Sequence, residues 1–110
     1  MEIRELAENL GLDIEEFAEI FEIYKETTLS ELEELKAALK AGDAQKVHEI
    51  AHSIKGASGN LGLDELFRLA KEIDDRARAN SLVGLESLIQ DFIERYKEVT
   101  QDFEKATANV

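Results

Sequence analysis

The stretch Ala51-His52-Ser53-Ile54-Lys55-Gly56-Ala57-Ser58-Gly59-Asn60-Leu61-Gly62 decides the fold. Extended back to Gln45 and wound at ~100° per residue, it places Val47, Ile50, Ala51, Ile54, Ser58 and Leu61 on one stripe. Gln45, His48, His52, Lys55, Gly56 and Gly59 gather on another. That is an amphipathic helix with His52 turned to solvent. Lys55 and Gly56 follow at the spacings where helical side chains meet, so the imidazole gains an exposed ammonium beside it and open space above it. A glycine inside a helix costs about 1 kcal/mol relative to alanine. Gly56 and Gly59 therefore either admit a neighbouring helix or clear bulk from around the imidazole, and their place on the His52 face favours the second.

Outward from this segment the chain continues as helices. Residues 2–10 form a short amphipathic helix with Ile3, Leu6, Ala7 and Leu10 on one side, stopped at Gly11 and packed across the bundle. Asp13-Ile14-Glu15-Glu16 has capping-box spacing and opens a long helix through Phe17, Ile20, Phe21, Tyr24, Leu29, Leu32, Leu35, Ala38 and Leu39 to Ala41. A bend or break is expected near Thr27-Thr28, where β-branched residues precede a candidate cap at Ser30. Asp43 caps the His52 helix, and Gly62 ends it in the left-handed conformation. The next helix starts near Asp64 with a core stripe of Leu66, Phe67, Ala70, Ile73 and Ala77, which leaves Lys71, Asp74 and Arg78 along one edge. Because so few residues join these two helices, they lie antiparallel and adjacent. Their register, and with it the position of Asp74 against His52, stays open. Ser81 is the expected cap of a last helix through Leu85, Leu88, Ile89, Phe92, Tyr96, Val99 and Phe103, frayed over 106–110. Phe17, Phe21, Tyr24, Phe67, Phe92 and Tyr96 have helical spacing and are assigned to the core.

The expected fold is all-α, an antiparallel four-helix bundle with a short extra N-terminal helix, and 110 residues make it a single domain over 1–110. Proline is absent and 35% of residues are charged, a composition that favours helix. The net charge of -12 argues against nucleic acid and anionic membrane surfaces, whose phosphates attract clustered Lys and Arg. No cysteine is present for a disulfide or a thiolate metal site. The amphipathic, acidic start is unlike a signal peptide, and no segment approaches the ~20 apolar residues of a membrane span. A cytoplasmic protein is expected, and the Met1 start favours a free-standing one. With its apolar stripes internal, the bundle is expected to be a monomer.

The string His52-Ser53-Ile54-Lys55-Gly56, preceded by Ala51 and followed by Asn60-Leu61-Gly62, resembles the signature of histidine-containing phosphotransfer domains. It is also similar to the phosphorylated N-terminal domain of chemotaxis histidine kinases. The resemblance implies that His52 accepts a phosphoryl group through Nε2, that Lys55 steadies the phosphate charge and that small Gly56 admits the partner. Asp74 stands where the family usually has Glu or Gln bonded to the imidazole, a departure by one methylene. An Nδ1–H bond to Asp74 would fix the tautomer that leaves Nε2 unprotonated. The implied partners are a histidine kinase and a response-regulator receiver domain, which meet the chain over Gln45, His48, Gly56, Gly59 and Lys71. His48 is expected as a solvated residue of that surface. No cofactor of its own is implied, magnesium being expected on the receiver. The implied function is phosphocarrier in a two-component relay, without an ATP-binding kinase domain or turnover of its own.

Two rivals use the same residues. His48-Glu49-Ile50-Ala51-His52 matches the H-E-x-x-H pattern of zinc hydrolases, with Glu72 a formal third ligand. A 110-residue helical chain offers no walled cleft or strand edge for an extended substrate, and the Lys55 ammonium opposes a divalent cation. A non-catalytic helical interaction module would make His52 an ordinary surface residue, which leaves the joint placement of His52, Lys55, Gly56 and Gly59 unexplained.

Overall fold

The computed structural model describes residues 2–108 and is built from five helices. They are α1 (Ile3–Asn9), α2 (Ile14–Lys40), α3 (Ala44–Asn60), α4 (Asp64–Arg78) and α5 (Leu85–Thr107). α2, α3, α4 and α5 close a ring, each packed on the next and α5 back on α2, while α1 lies across α5 and α2. This is the expected antiparallel bundle with an extra N-terminal helix. At 1.5 Å per residue α2 alone is about 40 Å long, which accounts for the 43 Å long axis of the molecule.

Local chemistry sets the ends. Asp13 and Glu16 form the reciprocal capping box that opens α2, and Asp43 accepts from Lys46 N to open α3. Gly62, at φ +75, turns the chain so that Leu63 N donates to Ser58 O, and Leu61 and Leu63 bury on either side of it. α3 and α4 form the most extensive interface of the bundle.

Three expectations give way. α2 is one continuous helix through Thr27-Thr28, because Thr28 is fully buried and its packing overrides the weak helix propensity of a β-branched residue. Ser81 does not cap α5. Its backbone N–H donates to Arg76 O and closes α4, with Asn80 in the left-handed region at φ 58, so the cap falls to Gly84. Ile20, Leu29 and Phe67 are surface residues, while Leu69 joins the core in place of Phe67. Helix α5 runs on to Thr107, and of the frayed tail expected from the sequence, residues 109–110 lie outside the described residues.

The core runs the length of the bundle from Ile3 and Ala7 through Phe17, Phe21, Ile54, Leu66, Ile73 and Phe92. All six residues of the stripe that decided the fold, Val47 to Leu61, are buried.

Candidate functional site

The α3–α4 hairpin builds the site. His52 and Asp74 each stand eleven residues from Leu63, and Gly59 and Phe67 each stand four from it. Eleven residues are about three helical turns, so equal arms of an antiparallel hairpin return these pairs to the same level and face. This register, which the pattern of apolar residues leaves open, brings the Asp74 carboxylate under His52.

The Asp74 side chain has 0% exposure, and four groups converge on it. Oδ1 accepts from His48 Nδ1 and, at 3.2 Å, from Arg78 Nε. Oδ2 faces His52 Nδ1 at 3.3 Å and accepts from Lys55 Nζ at 3.2 Å. Burial pushes the carboxyl upward, but the hydrogen bonds from His48, Lys55, His52 and Arg78 outweigh it and hold Asp74 down at about 2. It is a buried carboxylate that stays ionised because donors surround it.

His52 is the outermost member, with 57% of its side chain exposed. With Nδ1 on Asp74, Nε2 at the far edge of the ring is turned away from the carboxylate. Arg78 Nη2 lies 3.5 Å from His52 Nδ1 and adds a second cation beside the ring. Gly56 is exposed, and a Cβ there would meet nothing within 4 Å, so the space above the imidazole along α3 is open.

Several residues stand otherwise than the sequence suggested. Lys55 is not a free exposed amine, since its side chain is 20% exposed and tied to Asp74, whose uncompensated charge would be costly between two helices. His48 is not simply solvated. It is 23% exposed and holds the same carboxylate as His52. Gly59 does not share the open space of Gly56, because a Cβ there would come 3.0 Å from Phe67 Cδ1. Its missing side chain makes room for α4, which is the helix-approach reading for this one glycine. Gln45 donates to Glu49 at 3.1 Å, and Lys71 pairs with Asp75 at 2.8 Å, both on the surface. Arg78 is the member of the cluster that sequence reasoning left out of the site. Its spacing of four from Asp74 was the available signal. Below this face Tyr24 OH and buried Ser58 Oγ share a hydrogen bond of 2.8 Å that ties α2 to α3, and burial raises the Tyr24 phenol.

The acidic residues that the H-E-x-x-H reading calls on are engaged elsewhere. Both imidazoles turn Nδ1 to Asp74, Glu49 pairs with Gln45, and Glu72 accepts from Arg76 at 3.0 Å. His48, His52 and Asp74 do meet, but among the described residues no group of three His, Asp or Glu side chains has the arrangement of a metal site. A half-exposed nucleophile on an open helix flank, oriented by an ionised carboxylate and flanked by Lys55 and Arg78, suits attack on a group carried by another protein.

No curated protein matches the chain. The crystal structure of histidine-containing phosphotransfer protein B (HptB) from Pseudomonas aeruginosa PAO1 superposes with a TM-score of 0.85 at 29% identity, covering 98% of this chain and 91% of that one. The family model described as Hpt domain matches residues 19–107 and so takes in the whole of α3 and α4. The chain therefore belongs to the Hpt domain family, whose members pass phosphoryl groups through a histidine in two-component relays.

Proposed function

We propose that His52 is the phosphoacceptor and that it passes the group between a histidine kinase and the aspartate of a response-regulator receiver domain. The observation that carries this reading is the exposed imidazole whose Nδ1 rests 3.3 Å from a fully buried, ionised carboxylate. Imidazole is suited to the task because its neutral form is plentiful near pH 7 and its free lone pair attacks phosphorus directly. In the forward step Nε2 forms a bond to phosphorus as the bond to the receiver's aspartyl oxygen breaks. The Nδ1 proton stays between ring and Asp74, which offsets the positive charge that builds on the ring. In this reading Lys55 and Arg78, the two cations that border the ring on its Asp74 side, swing toward the phosphoryl oxygens and steady them. Magnesium and the aspartate belong to the receiver, and so does the remaining charge neutralisation of an in-line transfer.

Hpt domain proteins are phosphocarriers rather than catalysts. In this reading the chain likewise has no kinase activity of its own and works as a cytoplasmic monomer. Among the described residues no helix is long and apolar enough to cross a membrane. The partner comes in over Gly56, with Phe67 of α4 and Ile23 of α2 as exposed apolar flanks. Such contacts matter because a chain of net charge -12 gains little from overall attraction to an acidic receiver pocket.

Incubation with phosphorylated cognate receivers and magnesium tests the assignment. The expected product is an acid-labile, base-stable label that is absent from His52→Gln, while failure of every cognate receiver to label the wild type would overturn it.

A further inference from the structure

Asp74 carries two imidazoles. His48 and His52 lie one turn apart on α3 with ring centroids 6.0 Å apart, His48 on Oδ1 and His52 on Oδ2. Two neighbours of His52 Nδ1 make opposite demands. Asp74 Oδ2 at 3.3 Å requires a proton on Nδ1, whereas the Arg78 guanidinium at 3.5 Å, a donor only, favours a bare Nδ1. The first leaves the Nε2 lone pair free to attack. The second puts the proton on Nε2 and blocks it. The direction in which one carboxylate points therefore decides whether the nucleophile is armed.

Three groups besides His52 restrain that carboxylate. Arg78 is half exposed, and Lys55 reaches Asp74 on a four-carbon stem, so both are soft restraints with many rotamers. His48 has only two side-chain torsions, is largely buried, and bonds Oδ1, the carboxylate oxygen that His52 does not use. Aspartate has one methylene between backbone and carboxylate, so its stem gives it little room to follow the imidazole. It needs an external hold.

We infer that His48 is a positioning residue for phosphoryl transfer: by fixing Oδ1 of Asp74 it keeps Oδ2 on His52 Nδ1 and holds His52 in the tautomer with Nε2 free. The inference rests on His52 being the acceptor. The chemical step is the one above, and His48 acts on it through Asp74 without bonding the phosphoryl group.

Two measurements on the full chain test it without any protein partner. ¹⁵N-resolved NMR of the imidazoles at neutral pH reads the His52 tautomer, and phosphoramidate supplies the phosphoryl group, ammonia leaving as the bond to Nε2 forms. In the wild type the Nδ1–H form of His52 should dominate. His48→Phe keeps an aromatic ring and removes the donor, and should convert His52 to a mixture containing Nε2–H and slow labelling by about 10-fold. His48→Gln, whose amide N–H can reach the carboxylate, should restore tautomer and rate together. A residue that only supports the fold would move the melting temperature and leave the tautomer alone. Wild-type tautomer and rate in His48→Phe overturn the inference. So does a dominant Nε2–H form in the wild type, which needs no variant to fold. Absence of any phosphoramidate label on wild-type His52 is a different failure, that of the acceptor assignment itself.

Discussion

The α2–α5 pair and the α3–α4 hairpin share one core but are made of different materials. Six of the seven aromatic residues lie on the long helices α2 and α5, whereas α3 and α4 carry only Phe67, which is 36% exposed. In the first region Phe21 stacks on Phe103 at 4.2 Å and leans on Phe17 and Tyr24 at 5.9 and 5.7 Å. In the second, alanines at 51, 70 and 77 let the helices approach, and a buried carboxylate with its four donors occupies the seam. Aromatic packing is concentrated in one half, while the other pairs a close aliphatic interface with a charge cluster that packing alone would not favour.

The division can be broken from the aromatic side first. Phe21→Ala removes a ring with 0% exposure from the centre of that stack and should cost about 3–5 kcal/mol, read as a large loss in denaturant midpoint. Phosphoryl uptake per folded molecule should be unchanged. If uptake falls with stability, the two halves are not separable.

Next in size is Asp74→Asn, which keeps the shape of the side chain and removes the charge that His48, Lys55 and Arg78 converge on. Because Asp74 sits at about 2 in the fold against an ordinary 3.8, its ion pairs stabilise the protein above about pH 4 and are lost as the pH falls toward 2. The shift corresponds to about 1–2 kcal/mol, the lower figure allowing for solvent at the rim of the site. The variant should therefore be less stable than wild type at neutral pH, with the two stability curves converging near pH 2, and it should take up phosphoryl groups more slowly throughout. Lys55→Ala should cost about 1 kcal/mol as well as rate, because Lys55 is a partner of the buried charge and not the free amine expected from spacing. A variant with wild-type stability would return Lys55 to the role of a solvated cation.

The same contrast explains which parts were legible in the sequence. The stripe from Val47 to Leu61, the capping box at Asp13 and the turn at Gly62 are local patterns, and local physics sets them. Ile20, Leu29 and Phe67 were misplaced because apolar character does not by itself mean burial. The meeting of His52 with Asp74 is a tertiary fact: the two stand equally far from Leu63 in the sequence, but only the packed hairpin shows that Leu63 is the pivot of the register. His48 was harder. As a polar residue one turn from His52 it fits a solvated face, and only the buried carboxylate across the seam distinguishes a held ring from a free one.

The smallest effects test the site at its finest grain, in two glycines on one helix face with the same propensity cost. Gly56 has open space where a Cβ would go, so Gly56→Ala should gain up to about 1 kcal/mol of helix stability and raise the melting temperature. If the opening exists to admit a partner, the same variant should slow transfer from a receiver while leaving phosphoramidate labelling, which needs no docking surface, at the wild-type rate. Gly59→Ala should show neither effect in that combination. The new methyl group would press on the Phe67 ring, which must turn further into solvent, and that loss cancels the propensity gain, so the melting temperature should stay level or fall. Equal stabilisation by both alanines would mean that Phe67 yields freely and that Gly59, like Gly56, is kept for something other than the approach of α4.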